Sequence, residues 1–123
     1  MLEIQKVDCE FSVCKIKDIS EVNFSDEFCF LGKTDEEISL VCFTEHAPVN
    51  AILRDDGWKA FRIQGVLDFS LIGILAKIST LLADNGIGIF AISTYNTDYI
   101  LTKAENYVKA LDVLNQAGYQ IKT

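Results

Sequence analysis

The sequence predicts an α+β fold in which helices cover one face of antiparallel sheets. Two observations in the second half of the chain predict it. Apolar residues at helical spacing follow a strand-like segment, and two strands, a second helical segment and a last strand come after them. The resulting order is βαββαβ. Two βαβ crossovers of the same hand place both helices on one side of a sheet, so the other face is left open for a partner or a second lobe.

The first half of the chain is more polar and lacks a strong helix at the equivalent early position. Aromatic and β-branched residues predict three strands there, and a polar connector separates the first two. Pro48 is acceptable in the first turn of a short helix after the third strand. In order, these elements are a strand over Phe11–Lys17, the connector Asp18–Asp26, strands over Glu27–Gly32 and Ile38–Phe43, and a helix within Ala47–Arg54.

The second half is easier to interpret. Trp58–Gln64 alternates aromatic or branched residues with charged ones, which predicts a strand. Asp68 and Ser70 offer helix caps, because a short side-chain oxygen accepts free amide hydrogens, and apolar residues at helical spacing cover Leu71–Leu82. The elements that follow are a helix stop at Gly86, a strand over Ile87–Ile92, a turn over Ser93–Thr97, a strand over Asp98–Thr102, a helix over Ala104–Gln116 and a strand over Tyr119–Lys122. This is the ferredoxin-like order.

A weak internal repeat indicates two lobes of one fold. The order turn, strand, helix, glycine, aromatic residue and strand starts near Gly32–Thr34 and recurs about 60 residues later, near Ser93–Thr94. We therefore expect an N-terminal lobe of residues 1–57, without a full first helix, and a C-terminal lobe of residues 58–123. Chance similarity between two small α+β units is the alternative. The sequence leaves open whether Trp58–Gln64 belongs to the first lobe, the second or both.

The composition disfavours several classes of function. The chain has 11 Lys and Arg against 18 Asp and Glu, for a net charge of −7 at pH 7, which disfavours nucleic acid and anionic membranes as partners. No segment approaches the roughly 20 apolar residues of a membrane helix, and the N-terminus lacks a signal-peptide pattern. We therefore expect a cytoplasmic protein. Its 4 cysteines form no CxxC pair, so we expect small buried hydrophobic residues rather than zinc ligands.

No motif indicates an enzyme. The sequence has no GxSxG, HExxH, P-loop or Rossmann glycine pattern, so we expect no catalytic residue, no cofactor and no metal. His46 is expected to be a solvated loop residue, and Asp35–Glu37 a solvated turn, because hard-cation sites need more converging oxygens. A small enzyme using Cys42 or His46 would require these residues to converge in one cleft.

Three stretches resemble the ACT domain family, in its group of short chains with paired lobes. The resemblance covers nearly the whole chain, is strongest from Trp58 to Leu101, and rests on Gly65–Ala76 (GVLDFSLIGILA), Ala83–Leu101 (ADNGIGIFAISTYNTDYIL) and Thr34–Val41 (TDEEISLV). The group is similar to the regulatory lobes of aspartate kinases and to the lobes of the cytosolic arginine sensor. The resemblance implies tandem ACT-like lobes and an amino acid bound at a lobe or subunit interface.

One part of the candidate site lies at the predicted helix N-terminus. Free amide hydrogens and a partial positive charge there can hold a carboxylate without a basic side chain. Asp68 or Ser70 can instead simply cap the helix, and Gly73 allows close approach of a ligand or of a neighbouring backbone. The family resemblance implies ligand contact by the backbone near Leu71 and Ile74.

The other part of the candidate site is the turn before Asp98. A carboxylate at the start of this strand can pair with the α-ammonium group of a ligand or with a basic side chain, or it can cap the turn. The resemblance implies ligand contact by Asp98 and Thr94. Three tyrosines could form an aromatic wall that packing explains equally well: Tyr95, Tyr99 and Tyr107. Ser39 and Leu40 match the opposite wall, which the other lobe supplies in paired-lobe relatives.

Together these features predict a non-enzymatic regulatory protein that binds an amino acid and forms a homodimer or acts on an unidentified protein target. The ligand carboxylate would meet backbone amides near Ser70–Ile74, and its ammonium group would meet Asp98. The alternative is a structural or interaction module with no small ligand, whose lobes pair only to bury their open sheet faces. A polar cavity lined by Asp98 and these amides would support binding, and a cavity filled by side chains would support the module.

Overall fold

The computed structural model describes residues 2–64 and 73–123. It confirms the mixed α+β class. In chain order its elements are β1 (Glu3–Ile16), β2 (Phe30–Lys33), β3 (Ile38–Phe43), a 3-10 helix (Thr44–His46), β4 (Leu53–Gln64), α1 (Ile74–Asp84), β5 (Phe90–Ser93), β6 (Asp98–Lys103), α2 (Ala104–Gln116) and β7 (Gln120–Lys122). None of the helices in these residues has the length and apolar character needed to cross a membrane.

The chain forms two compact units. Cys9–Trp58 make up what we call the N-terminal unit, and Met1–Asp8 with Lys59–Thr123 make up the C-terminal unit. Strand β1, with 14 residues, and strand β4, with 12, each contribute to both units. The lobes expected at residues 1–57 and 58–123 stay a prediction, while the compact units place the first residues of the chain with its C-terminal part.

In the N-terminal unit the strand order is β2-β3-β1-β4, and β3 pairs antiparallel with both β2 and β1. The register places Leu40 opposite Cys14 and Cys42 opposite Ser12, so all four side chains share one face. Cys14, Leu40 and Cys42 belong to a buried cluster, and burial raises the pKa of the Cys42 thiol to about 12. The expectation of small buried cysteines is therefore confirmed for Cys14 and Cys42, whereas Cys9 is half-buried.

The C-terminal unit packs both helices against one face of its strands. On β4, Phe61 and Ile63 reach the helix-covered core, and Arg62 between them faces the opposite side. On β6, Ile100 reaches the same core, so Tyr99 also faces the opposite side. The buried core comprises Ile4, Phe61, Ile63, Ile78, Leu82, Ile87, Ile100, Tyr107, Ala110, Leu111 and Leu114.

The strand order of the C-terminal unit differs from the predicted ferredoxin-like order. That order would place the last strand, β7, beside β4. In the described residues β7 instead pairs in parallel with Glu3–Gln5 of β1, and β1 lies next to β4. The sequence pattern predicts no strand before Phe11. The reason is that the buried residues Ile4 and Val7 fall on opposite faces, so the segment has no clear alternation of apolar and polar residues.

The helix predicted within Ala47–Arg54 is wrong. Between β3 and β4, the helical backbone is confined to Thr44–His46, and β4 already begins at Leu53. The amide of Ile52 donates a hydrogen bond to the carbonyl of Lys15 at 2.8 Å, which ties this loop to β1. A contact so distant in sequence outweighs a weak local helix preference.

The strand predicted from Ile87 begins later, at Phe90. The chain first completes the end of α1. Gly86 has a φ of 74°, in the left-handed region, and the amide of Ile87 donates to the carbonyl of Leu82 at 2.9 Å. This is the hydrogen bond of a glycine-terminated helix end, so the predicted stop at Gly86 is confirmed.

Candidate functional site

The start of α1 carries two of the predicted site residues. Gly73 precedes the helix with a φ of 85°, in the left-handed region, and Ile74 is its first residue. The carbonyl of Gly73 accepts the amide of Lys77 at 2.9 Å, and the first turn contains no acidic side chain. The first amides of a helix have no acceptor within it, so they remain suited to an anionic group. Three further predicted residues, Asp68, Ser70 and Leu71, lie outside the described residues.

The turn between β5 and β6 carries three predicted site residues. The amide and the hydroxyl of Thr94 both donate to the carbonyl of Thr97, at 2.9 and 2.7 Å, and close the turn. The half-buried Asp98 accepts a hydrogen bond from the Ser93 hydroxyl at 2.5 Å. This contact fits the turn-capping alternative for Asp98. A carboxylate has about four acceptor positions, so the contact leaves room for a ligand. Tyr95 is 93% exposed at the tip of the turn.

The two residues predicted for the opposite wall belong to β3 in the N-terminal unit. Leu40 is 1% exposed, and its side chain lies in the buried cluster of that unit. Ser39 is half-buried and pairs with Lys15 on one side and with Gly32 on the other. The side chain of Leu40 therefore serves packing, and a ligand role for Ser39 stays a prediction.

A polar pocket lies where the end of β4 meets the β5–β6 turn. It has a volume of about 240 Å³ and is lined by Arg62, Ile63, Gln64, Asn96, Thr97 and Tyr99. The hydroxyl of Thr97 donates to the carbonyl of Ile63 at 2.6 Å, and this bond fastens the turn to the strand. Of the predicted site residues in the described part of the chain, none lines this pocket, although Asp98 lies between two residues that do.

Arg62 is the central polar group of this pocket. Its Nε donates to Gln64 Oε1 at 2.8 Å, and one terminal nitrogen donates to the Tyr99 hydroxyl at 3.2 Å. The guanidinium carbon also lies 6.0 Å from the centre of the Tyr99 ring, within the range of a cation–π contact. The sequence pattern singled out Tyr99 as part of an aromatic wall, but not Arg62 or Gln64. Alternation places Arg62 and Gln64 on one side of their strand, but pairing them with Tyr99 requires the register between strands.

Other polar clusters in the described residues do not form a metal site. No group of three or more His, Cys, Asp or Glu side chains there is arranged to hold a metal ion. His46 is 42% exposed, and its Nδ1 lies 2.8 Å from the Asp26 carboxylate, a hydrogen bond that raises the pKa of His46. The amides of Glu36 and Glu37 donate to Thr34 Oγ1 at 3.1 and 3.2 Å, which makes that acidic stretch part of a turn.

Comparison with known families identifies the class. A family model described as the ACT domain matches residues 53–116, slightly more than half of the chain. The chain therefore belongs to the ACT domain family. ACT domains are generally regulatory modules that bind ligands. No curated protein matches the sequence.

Solved structures share the fold over almost the whole chain. A protein from Agobacterium tumefaciens is 28% identical, with a TM-score of 0.85 over 98% of this chain and 92% of its own. The ligand-free regulatory subunit of aspartate kinase from Thermus thermophilus is 14% identical, with a TM-score of 0.60 over 95% of this chain and 96% of its own. Aspartate kinase from Synechocystis is 16% identical, with a TM-score of 0.73 over 98% of this chain but only 27% of its own. At such low identity the two kinases establish similarity of fold.

Proposed function

We propose that this chain is a non-enzymatic regulatory protein that binds an amino acid, and that the C-terminal unit holds the ligand. The observation that carries the proposal is the polar pocket of about 240 Å³ between the end of β4 and the β5–β6 turn. The family match includes both walls of this pocket. The similarity to a regulatory subunit of aspartate kinase further supports a regulatory role without catalysis.

The described residues offer complementary groups for the two charges of an amino acid. The Asp98 carboxylate, at the base of the turn, suits the α-ammonium group. On the opposite side of the sheet from Asp98, the pocket supplies hydrogen-bond donors from Arg62, Asn96 and Tyr99 for a carboxylate. The first amides of α1 provide a second set of donors. If the protein has two conformations, the ligand stabilises the one in which these groups contact it together. The available regulatory energy equals the difference in ligand affinity between the two arrangements.

For a regulatory chain, the conformational change caused by the ligand must alter the binding or activity of another molecule. We propose that the receiver is a second copy of this chain or a separate protein target, and that the chain consists of two ACT-like lobes. The two β-hairpins support the second point. In both, a threonine amide donates to a carbonyl across the turn at 2.9 Å, from Thr34 to Glu37 and from Thr94 to Thr97.

A thermal-shift screen against the twenty amino acids tests the proposal. A ligand that binds only the native state at 100 times its Kd adds about 2.7 kcal/mol to the free energy of unfolding, and the melting temperature rises with it. We expect the rise for one or a few amino acids, and we expect Asp98→Asn to reduce it. Asp112→Asn, on the exposed side of α2, is the matched control and should leave it unchanged.

The screen also addresses the alternative. If no amino acid raises the melting temperature at millimolar concentration, the amino-acid proposal fails and a ligand-free interaction module becomes the better account. The next experiment would then be a search for a protein partner. Asp98→Asn keeps an acceptor for the Ser93 hydroxyl, so a lost response in this variant would indicate a lost charge rather than a broken turn.

A further inference from the structure

The described residues that line the pocket of the C-terminal unit include a positive charge and no negative charge. Among its described lining residues, Arg62 is the one that carries a charge at neutral pH, and the others are Ile63, two carboxamides, a threonine and a tyrosine. This local positive charge occurs in a chain whose net charge is −7. A cation without a carboxylate opposite it favours an anionic group as its occupant.

In the part of the chain that the structure describes, the hydrogen-bond partners of Arg62 carry no negative charge. Within the described residues its hydrogen bonds go to Gln64 Oε1 and to the Tyr99 hydroxyl, which are both neutral at pH 7. Asp98 follows the alternation of β6 and lies on the side of Ile100, away from Tyr99, where it accepts the Ser93 hydroxyl. The other arginine of the chain, Arg54, contrasts with this, because its Nε lies 2.7 Å from the Asp56 carboxylate.

The same contacts hold the guanidinium in one place. The bond to Gln64 fixes Nε, and the guanidinium carbon lies 6.0 Å from the centre of the Tyr99 ring, within the range of a cation–π contact. A positioned guanidinium loses less side-chain freedom when it binds a carboxylate, which lowers the cost of binding. The side-chain amide of Asn96 and the hydroxyl of Tyr99 line the same space and can donate to further ligand oxygens.

We propose that Arg62 recognises a carboxylate and that the pocket selects small ligands with net negative charge, which among the amino acids are aspartate and glutamate. For these two ligands the inference rests on the proposed amino-acid-binding function. The size agrees, because 240 Å³ equals the liquid volume of about eight water molecules, close to a ligand of about ten non-hydrogen atoms. Other small dicarboxylates share this chemistry, so the experiment separates them from amino acids.

The test uses calorimetric titration with ligands that differ only in charge. Aspartate is compared with asparagine, glutamate with glutamine, and succinate and glutarate serve as dicarboxylates without an ammonium group. We expect the acidic amino acids to bind roughly 10- to 100-fold more tightly than their amides, the range expected for a charged hydrogen-bonded contact. Arg62→Gln should remove this preference, and Arg62→Lys should retain part of it.

Arg54→Gln is the matched control, because it removes the same charge from the N-terminal unit. It should leave the binding of acidic ligands unchanged. Urea unfolding of each variant checks that the variant is still folded, so that a loss of affinity can be assigned to the site. The charge preference is overturned if amides bind as tightly as acids, or if Arg62→Gln binds acids as wild type does.

The outcomes distinguish this inference from the proposed function. If a neutral or basic amino acid binds tightly and Arg62→Gln has no effect, the regulatory function stands and the role of Arg62 is wrong. If succinate or glutarate binds through Arg62 but no amino acid binds, the anion site stands and the amino-acid function is wrong. If neither this titration nor the thermal-shift screen of the twenty amino acids finds a ligand, both are wrong.

Discussion

Tyr107 provides a sharp test of how the C-terminal unit is held together. Its side chain is 4% exposed, and its hydroxyl donates a hydrogen bond of 2.6 Å to the carbonyl of Ala60, which is itself 1% exposed. Tyr107→Phe keeps the buried ring and removes this bond between α2 and β4, together with the hydrogen bond between the hydroxyl and the Val7 backbone. Leaving a buried carbonyl without its donor costs about 1–3 kcal/mol. We therefore expect the free energy of unfolding to fall by about 2 kcal/mol.

Urea denaturation measures this loss. With a slope of about 2 kcal/mol per molar urea, the midpoint should fall by about 1 M while the slope stays unchanged. Tyr95→Phe is the matched control, because Tyr95 is 93% exposed and its substitution should change stability by less than about 0.5 kcal/mol. If Tyr107→Phe unfolds at the wild-type midpoint, the bond to Ala60 contributes no net stability and the reasoning fails.

The dependence of stability on pH above pH 10 provides a second measurement on the same residue. Burial, followed by the negative charge of Asp8, raises the pKa of Tyr107 from its ordinary value of 10.0 to about 12. A raised pKa means that the folded state holds the proton more tightly than the unfolded state. This contribution is fully present below pH 10 and is lost as the pH rises towards 12. The stability difference between wild type and Tyr107→Phe should therefore narrow over that range.

The remaining predictions concern a pH-dependent contact and a helix end. The pKa of His46 is raised by its hydrogen bond to Asp26, so this contact stabilises the fold below pH 6.5 and is lost as the pH rises through the higher folded value. Asp26→Asn should lower the pKa of His46 in an NMR titration, and an unchanged titration would contradict the assignment. Gly86→Ala should cost about 1–2 kcal/mol in urea unfolding, because a side chain is strained at its φ of 74°. Gly88→Ala, where φ is ordinary and a Cβ would meet no atom within 4 Å, should cost clearly less, and equal losses would argue against backbone strain.

Local patterns predicted the elements with strong periodicity. Strand β6 and helix α2 occur within one residue of their expected bounds, because alternation ends where the 3.6-residue period begins, at Lys103 and Ala104. The same reasoning failed where a distant contact decides the structure. The loop after the 3-10 helix follows the bond between Ile52 and Lys15 rather than its own helix preference, and Glu3–Gln5 become a strand by pairing with β7.

The candidate site was predicted incompletely for a related reason. Asp98 and Thr94 stand out in sequence because they flank a turn, and the structure places both in hydrogen bonds of that turn. Arg62 stands within a strand, where a charged residue on an outward face is the ordinary case. The role proposed for Arg62 depends on its contact with Tyr99, and only the arrangement of β4 and β6 brings these two residues together. A single sequence contains no signal for that neighbour.

The two hairpins indicate why the pocket belongs to the C-terminal unit. Both close with the same threonine bond, yet the residue three positions later differs. In one hairpin Thr97 sends its hydroxyl to the end of β4, at Ile63. In the other, the amide of Glu37 donates back to Thr34, as the amide of Thr97 does to Thr94, but the side chain of Glu37 is exposed. Two residues further into the strand, the C-terminal hairpin carries Tyr99 against Arg62, where the N-terminal hairpin has Ser39. The same turn hydrogen bond thus occurs in two hairpins with different side chains around it, and of the two it is the C-terminal hairpin that carries a tyrosine in contact with Arg62.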